Sequence, residues 1–74
     1  MQDTAYDQLR LGLNVRLRRH LMGLTQKQLA ERMGCSFRKI SMIERGKIDI
    51  SVDTLFALCR ALEWNIPELL RGIE

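Results

Sequence analysis

The sequence predicts an all-α domain built from five short helices. Apolar residues recur at intervals of three and four along most of the chain, which is the spacing of one face of an α-helix. Residues that cap helix N-termini precede these apolar stretches, and glycines follow several of them. Because 74 residues can enclose one hydrophobic core and no more, we expect residues 1–74 to form a single domain.

The first two helices are defined by their ends. Apolar spacing predicts the first over about residues 7–21, and Gly23 ends it. Thr25 begins the second, because Thr-Gln-Lys-Gln has the spacing of a capping box, and this helix continues to Gly34.

The remaining three helices each follow a capping residue. Ser36 caps a third helix that Gly46 closes, and Ser51 caps a fourth whose leucines lie at i, i+3 and i+7. Asn65 begins a short fifth helix with an early proline and a glutamate at its third position. Glu63 follows the fourth helix, and we expect a conformational cost if this position is left-handed.

Charge is distributed unevenly along the chain. Residues 10–47 contain ten lysines and arginines against two glutamates, a net charge of +8, while residues 1–9 carry −2 and residues 48–74 carry −3. A basic middle between acidic ends favours a polyanionic partner, since its field attracts negative charge.

Several other classes of protein are not indicated. No run of about 18 apolar residues could span a membrane, and the acidic, polar N-terminus does not look like a secretory signal, so we expect a cytoplasmic location. Cys35 and Cys59 form no CxxC pair and are expected to be free thiols, with no metal site. His20 is the only histidine in the sequence, and no catalytic triad or phosphate loop is present. We therefore predict no catalytic residues, no cofactor and no small-molecule ligand.

The segment of residues 25–45 has the pattern of a helix-turn-helix. Ala30 places a small residue opposite Ile40 and Ile43 of the next helix, across a turn in which Gly34 can adopt positive φ. Two helices joined by so short a turn can cross at a steep angle without a side chain obstructing the crossing.

These motifs resemble the helix-turn-helix domains of the phage lambda repressor and Cro type, also called the xenobiotic-response-element-like family. The similarity extends over about residues 15–70 and includes TQKQLA, IERG and the tail ALEWNIPELL. It implies a five-helix lambda-repressor-like fold that binds double-stranded DNA and regulates transcription.

The third helix has an inward and an outward face. At 100° per residue, Ile43 lies about 60° from Ile40 and Glu44 about 40° from it, whereas Arg38 lies on the opposite side. The resemblance implies that the outward face enters the major groove and reads bases through Ser36, Phe37, Arg38, Ser41 and Met42. Arg38 is the leading candidate because an arginine can bond one guanine bidentately, whereas the Phe37 ring could instead fold back onto the core edge.

The resemblance also implies contacts to the DNA backbone and one buried pair. Phosphate contacts are expected from Gln26, Lys27, Lys39, Arg45 and Lys47. Glu44 faces inward, where an unpaired carboxylate would be costly, and Arg19 matches the family position that forms a structural salt bridge with it. For Arg16 and Arg18 the sequence leaves DNA and solvent open.

The first helix carries a second apolar stripe, Leu9, Leu13, Leu17 and Leu21, about 160° from its core stripe. We expect part of it to form a homodimer contact with C-terminal residues, the candidates being Leu13, Leu17, Trp64, Leu69, Leu70 and Ile73. In the alternative, the N-terminal segment around Tyr6 covers the stripe.

The sequence thus predicts a sequence-specific DNA-binding transcriptional regulator that acts as a homodimer on a pseudo-palindromic operator. It is expected to be of the Cro-like repressor or restriction-modification controller type, with two recognition helices about 34 Å apart in successive major grooves. The alternative is the antitoxin of a toxin–antitoxin pair, whose main task is to bind a protein.

Overall fold

The computed structural model describes residues 4–73, and within this range the regular structure is entirely helical. The five helices are α1 (Thr4–Leu21), α2 (Gln26–Met33), α3 (Phe37–Glu44), α4 (Val52–Leu62) and α5 (Ile66–Leu69). The predicted all-α class and the predicted number and order of helices are confirmed. None of the helices in this range combines the length and hydrophobicity that a membrane crossing requires.

The predicted capping residues begin their helices. Thr25 and Asn65 each form a complete capping box, in which the side chain three positions later bonds back to the N–H of the cap. Ser36 and Ser51 each accept a hydrogen bond from the backbone N–H three positions later. Local side-chain chemistry therefore sets the start of four helices.

The first helix is longer than predicted. It begins at Thr4 rather than near Asp7, so Tyr6 lies inside the helix. Leu11 is the first buried residue of α1, so the core periodicity gives no signal for the turns before it. The alternative in which the segment around Tyr6 folds over the second stripe is wrong, because Tyr6 continues the same helix with its ring exposed.

Glu63 ends α4 in the left-handed conformation, with φ 55 and ψ 43. It is the only residue other than glycine with positive φ in the described chain. The Trp64 N–H then donates to the Cys59 carbonyl at 2.9 Å, which closes the helix. The expected conformational requirement at this position is confirmed, and a side chain with a Cβ meets it at some energetic cost.

All five helices contribute to a common core. The largest fully buried side chains are Val15, Leu29, Ile40, Ile43, Leu58, Leu62 and Leu69. Burying a side chain of this kind contributes about 1.5–3 kcal/mol relative to leaving it in water. This core holds α2 and α3 against α1 and α4, and so positions the helix-turn-helix.

A buried asparagine ties the end of the chain to α1. Asn14 Nδ2 donates to the carbonyl oxygens of Leu69 and Arg71, at 2.8 Å in both cases. Both amide hydrogens are therefore used, and partners are supplied to the carbonyl of Leu69, the last residue of α5, and to that of Arg71 just beyond the helix.

Cys35 and Cys59 are free thiols, as predicted. Cys59 is buried in the core, and this burial raises the pKa of its thiol, with Arg60 acting weakly in the opposite direction. Cys35 lies in the turn between α2 and α3 and is only half-buried.

Candidate nucleic-acid interface

The turn between α2 and α3 occupies three residues, 34–36. Gly34 has φ 68 and ψ 33, a left-handed conformation that costs glycine little because it has no Cβ. The Cys35 N–H donates to the Ala30 carbonyl at 3.0 Å and so closes α2, and Ser36 then caps α3. The chain leaves one helix and enters the next within this turn, as a helix-turn-helix requires.

Two glycines allow α1 to approach the C-terminal end of α3 very closely. A Cβ at Gly12 would overlap the Ile43 carbonyl oxygen and would lie 2.7 Å from the Glu44 carbonyl oxygen. Gly46, just after α3, would bring its own Cβ within 2.9 Å of Leu9 Cα. The two helices therefore meet backbone to backbone, and α3 is held in a fixed position against α1.

The outward face of α3 is polar and accessible. Arg38 is exposed, whereas Ser41 and Met42 are half-buried on the same side of the helix. Arg45 lies over them, because its Nε donates to the Ser41 carbonyl at 3.4 Å and its Nη2 lies 3.5 Å from Met42 Sδ. The inward face carries Ile40, Ile43 and Glu44, all buried.

Phe37 is the first residue of α3 and adjoins this surface. Its side chain is 56% exposed, so the alternative in which its ring folds back onto the core edge is wrong. The ring lines a shallow cavity of about 540 Å³ at the start of α2, together with Gln26 and Lys27. This cavity also reaches His20 and the buried Arg19 on α1.

Arg19 and Glu44 form a buried ion pair between α1 and α3. Arg19 Nε lies 2.6 Å from Glu44 Oε2, and Arg19 Nη2 donates to Glu44 Oε1 at 3.0 Å. Gln26 Nε2 donates to the same Oε1 at 3.0 Å, and Arg19 Nη1 donates to the Leu24 carbonyl at 2.8 Å. Both carboxylate oxygens are therefore satisfied, and one network fixes the first residue of α2 relative to α1 and α3.

Two arginines of the basic segment bind the C-terminal end of α4. Arg18 Nε donates to the Leu62 carbonyl at 2.9 Å, and its guanidinium lies 5.3 Å from the centre of the Trp64 ring. Arg32 Nη1 donates to the Ala61 carbonyl at 3.0 Å. The sequence leaves DNA and solvent open for Arg18, and the structure directs its guanidinium at the helix carbonyls that end α4, where cations are favourable.

The residues expected to contact phosphates differ in whether their side chains already have a hydrogen-bond partner within the protein. Lys39 Nζ donates to Thr54 Oγ1 at 3.1 Å, which draws this side chain towards α4. Lys27, Arg45 and Lys47 are exposed, and Gln26 is half-buried in the ion-pair network. Helix periodicity could not reveal the Lys39 contact, because its partner lies 15 residues away on another helix.

The residues expected at a dimer contact fall into two groups. Leu13 and Leu17 are exposed and, with Tyr6, Leu9 and Leu21, form a line along α1 that we call the α1 stripe. Leu69 is 0% exposed, so the prediction that it belongs to a dimer contact is wrong; in a helix of four residues, periodicity does not identify the inward face. Trp64, Leu70 and Ile73 are half-buried against the core.

Comparison with known families and proteins shows that the chain is similar to transcriptional regulators. The family model described as Helix-turn-helix matches residues 15–69. The control protein C.SmaI of Serratia marcescens is 38% identical over 60 residues, which are 81% of this chain and 71% of that protein. An uncharacterized transcriptional regulator in the ATPase CF(0) region of Rhodospirillum rubrum is 42% identical over 64 residues, 86% of this chain and 59% of that protein.

Solved structures give the same result for the fold. The restriction-modification controller protein C.AhdI from Aeromonas hydrophila superposes with a TM-score of 0.83 and 30% identity, covering 86% of this chain and 97% of that one. The P22 c2 repressor, solved in complex with a synthetic operator, superposes with a TM-score of 0.77 and 32% identity, covering 84% of this chain and 94% of that one.

Proposed function

The chain belongs to the helix-turn-helix family and is a DNA-binding transcriptional regulator, and from that premise we propose that it binds a pseudo-palindromic operator as a homodimer, with α3 as the recognition helix. The observation that supports the role of α3 is its division into a buried face, with Ile40 and Ile43, and an accessible polar face that begins at Arg38. The major groove is wide enough to admit such a helix.

Base reading is proposed for the first turns of α3. Arg38 is exposed and has no hydrogen-bond partner among the contacts of the described chain, so its guanidinium is available to O6 and N7 of one guanine. Ser36 and Ser41 can donate or accept hydrogen bonds, whereas Phe37 and Met42 can offer apolar contact to a thymine methyl. The exposure of Phe37 supports this role for its ring.

Phosphate contacts are proposed around the same surface. Lys27 at the start of α2, Arg45 at the C-cap of α3 and Lys47 just beyond it are all exposed. Gln26 is held by Glu44 and therefore presents the start of α2 in one orientation. Lys39 is the weakest member of this set, because Thr54 already accepts one of its three N–H groups.

A two-fold dimer is proposed because one α3 covers only a few base pairs. Two copies would place their α3 helices in successive major grooves, one turn of DNA or about 34 Å apart. The similarity to restriction-modification controllers and to the P22 repressor supports a regulator of the controller or repressor type.

The test is a binding selection from random duplex DNA, carried out at two salt concentrations. The expected result is an enriched inverted repeat whose binding falls steeply with salt, because each neutralised phosphate releases counterions. Enrichment of a single half-site without a repeat would contradict the dimer. Binding without any enrichment would contradict base reading by α3, and would leave the antitoxin alternative, with a different protein on the α1 stripe, as the better account.

A further inference from the structure

The α1 stripe is an uncovered apolar face within the described chain. Its five side chains, Tyr6, Leu9, Leu13, Leu17 and Leu21, are each between 42% and 79% exposed. Single exposed leucines are ordinary on a protein surface, but five large apolar residues in line along one helix form a continuous patch that indicates an interaction surface.

We propose that the α1 stripe pairs antiparallel with the α1 stripe of a second copy, about a two-fold axis at Leu13. This proposal rests on the proposed function, because it assigns the interface of the regulator's homodimer. In this proposal the exposed Val52 and Phe56 of α4 lie outside the dimer contact and stay exposed in the dimer.

The area of the α1 stripe suits a dimer contact. Its exposed fractions correspond to roughly 500 Å² of apolar surface per chain, against about 800 Å² per partner in a standard stable interface. A cavity of about 210 Å³ beside Leu17 and Leu21 has Trp64 in its wall and adds a mixed edge, because its other lining residues are Arg10, Asn14, Arg18, Glu68 and Arg71. The stripe and this edge together supply most of the area that a stable dimer needs.

The stripe is also self-complementary. With the axis at Leu13, Leu9 lies at the level of Leu17 of the second copy. Each long edge of the α1 stripe lies opposite the same edge of the stripe in the second copy. Arg10 and Arg16 lie on opposite edges of the stripe, so each is placed beside a leucine of the second copy rather than beside another arginine. Like charges therefore do not meet across the contact.

A contact through α1 would also set the spacing of the two recognition helices. Gly12 and Gly46 let the backbones of α1 and α3 touch, and the Arg19–Glu44 ion pair joins the same two helices. Because α3 is fixed to α1, an α1 contact holds both α3 helices at one separation. A two-fold operator with a fixed half-site spacing requires such a separation.

The first experiment measures oligomeric state by sedimentation velocity at micromolar concentration. We expect a dimer for the native chain and a monomer for Leu13→Glu, since that variant places two carboxylates at the axis. Phe56→Glu is the matched control, because Phe56 is 48% exposed and lies on α4. Both variants are expected to stay folded by circular dichroism, and Leu13→Glu alone is expected to lose the concentration-dependent part of the melting temperature, which association of the native chain contributes. A native monomer, or a Leu13→Glu dimer, would overturn the proposal.

The second experiment tests the register by disulfide trapping. Leu13→Cys is expected to form a covalent dimer under mild oxidation, because the two introduced thiols meet at the axis. Leu17→Cys is expected not to do so alone, since its two thiols would be about 12 Å apart along the helices, but to cross-link when mixed with Leu9→Cys. The native chain, which retains Cys35 and Cys59, is the blank. Equal trapping of the Leu13→Cys and Leu17→Cys proteins would overturn the antiparallel register.

DNA binding distinguishes failure of this proposal from failure of the proposed function. Leu13→Glu is expected to bind a half-site duplex as the native chain does and to lose at least tenfold in affinity for the full operator recovered by selection. A Leu13→Glu protein that stays dimeric and binds the full operator normally would overturn the assignment of the face while leaving the regulator intact. A native dimer that Leu13→Glu disrupts, but that selects no DNA sequence, would support the interface and contradict the proposed function.

Discussion

Gly12 of α1 lies so close to the Ile43 carbonyl of α3 that a Cβ at residue 12 would overlap that oxygen. Glycine in the middle of a helix costs roughly 0.5–1 kcal/mol relative to alanine, so the packing of α3 explains its presence here. The orientation of α3 thus depends on a glycine of α1.

Gly12→Ala should destabilise the fold by about 1–3 kcal/mol, because the new methyl group must displace the backbone of α3. Urea unfolding followed by circular dichroism measures this change. Gly23→Ala is the control, since a Cβ there meets nothing within 4 Å and only the cost of its φ of 71 remains. A Gly12→Ala protein as stable as the native chain would show that α3 does not depend on this contact.

Glu44→Gln should lower the stability by about 3–5 kcal/mol, because it leaves the Arg19 guanidinium buried without a counter-charge. Glu63→Gln is the matched control: its carboxylate lies 3.9 Å from Arg32 in an exposed pair, and its loss should cost less than about 1 kcal/mol. Thermal melting of the two variants, run together, checks the difference. Equal melting temperatures would mean that the buried pair contributes no more than a surface pair.

Glu63→Gly should stabilise the protein by about 0.5–1 kcal/mol, because glycine adopts the left-handed conformation at residue 63 without the Cβ penalty. Glu63→Ala removes the same contact to Arg32 but keeps a Cβ, so it should bring no gain. The midpoint of urea unfolding reports both. A stabilised Glu63→Ala protein would assign the effect to charge instead of backbone conformation.

Arg38→Ala should reduce operator affinity by about 1–3 kcal/mol and relax the preference at one base pair of each half-site. Fluorescence anisotropy with the selected operator and its single-base variants measures both effects. Arg60→Ala is the control, because Arg60 is an exposed arginine on α4, and it should leave the sequence preference unchanged. An Arg38→Ala protein with the native base preference would exclude Arg38 from base reading.

Cys35 should react with a thiol reagent well before Cys59 in the native protein at pH 8. Burial shields Cys59 and raises the pKa of its thiol, so both access and the thiolate fraction are reduced. Absorbance of the released reagent should show one fast thiol in buffer and two in urea, and Cys35→Ser should abolish the fast phase. Two fast thiols in the native protein would mean that the core around Cys59 opens readily.

Much of the fold follows from local sequence signals. The caps at Thr25, Ser36, Ser51 and Asn65 each use a side chain and a backbone group three residues apart, so short sequence windows contain the information. The same windows locate the turn at Gly34. The two faces of α3 follow from helical periodicity, so the sequence alone predicts which side of this helix is accessible.

Contacts between distant elements were beyond such windows. From the sequence alone, Gly12 is an ordinary helical glycine, because its contact is with the backbone of α3. Lys39 likewise looks like a free cation, because its partner Thr54 lies on another helix. The sequence wrongly predicts Leu69 at a surface, because four residues of helix do not define an inward face. Each error concerns which element packs against a residue, and that depends on tertiary structure.

Most of the basic side chains in residues 10–47 donate hydrogen bonds within the described chain. The donors are Arg10, Arg18, Arg19, Arg32, Lys39 and Arg45. A hydrogen bond to a carbonyl or hydroxyl oxygen fixes the position of a cation without cancelling its charge, so most of the positive field of this segment is kept while the fold sets its geometry. A cation that is already held in place loses less conformational entropy when it binds an anion than a freely extended side chain does.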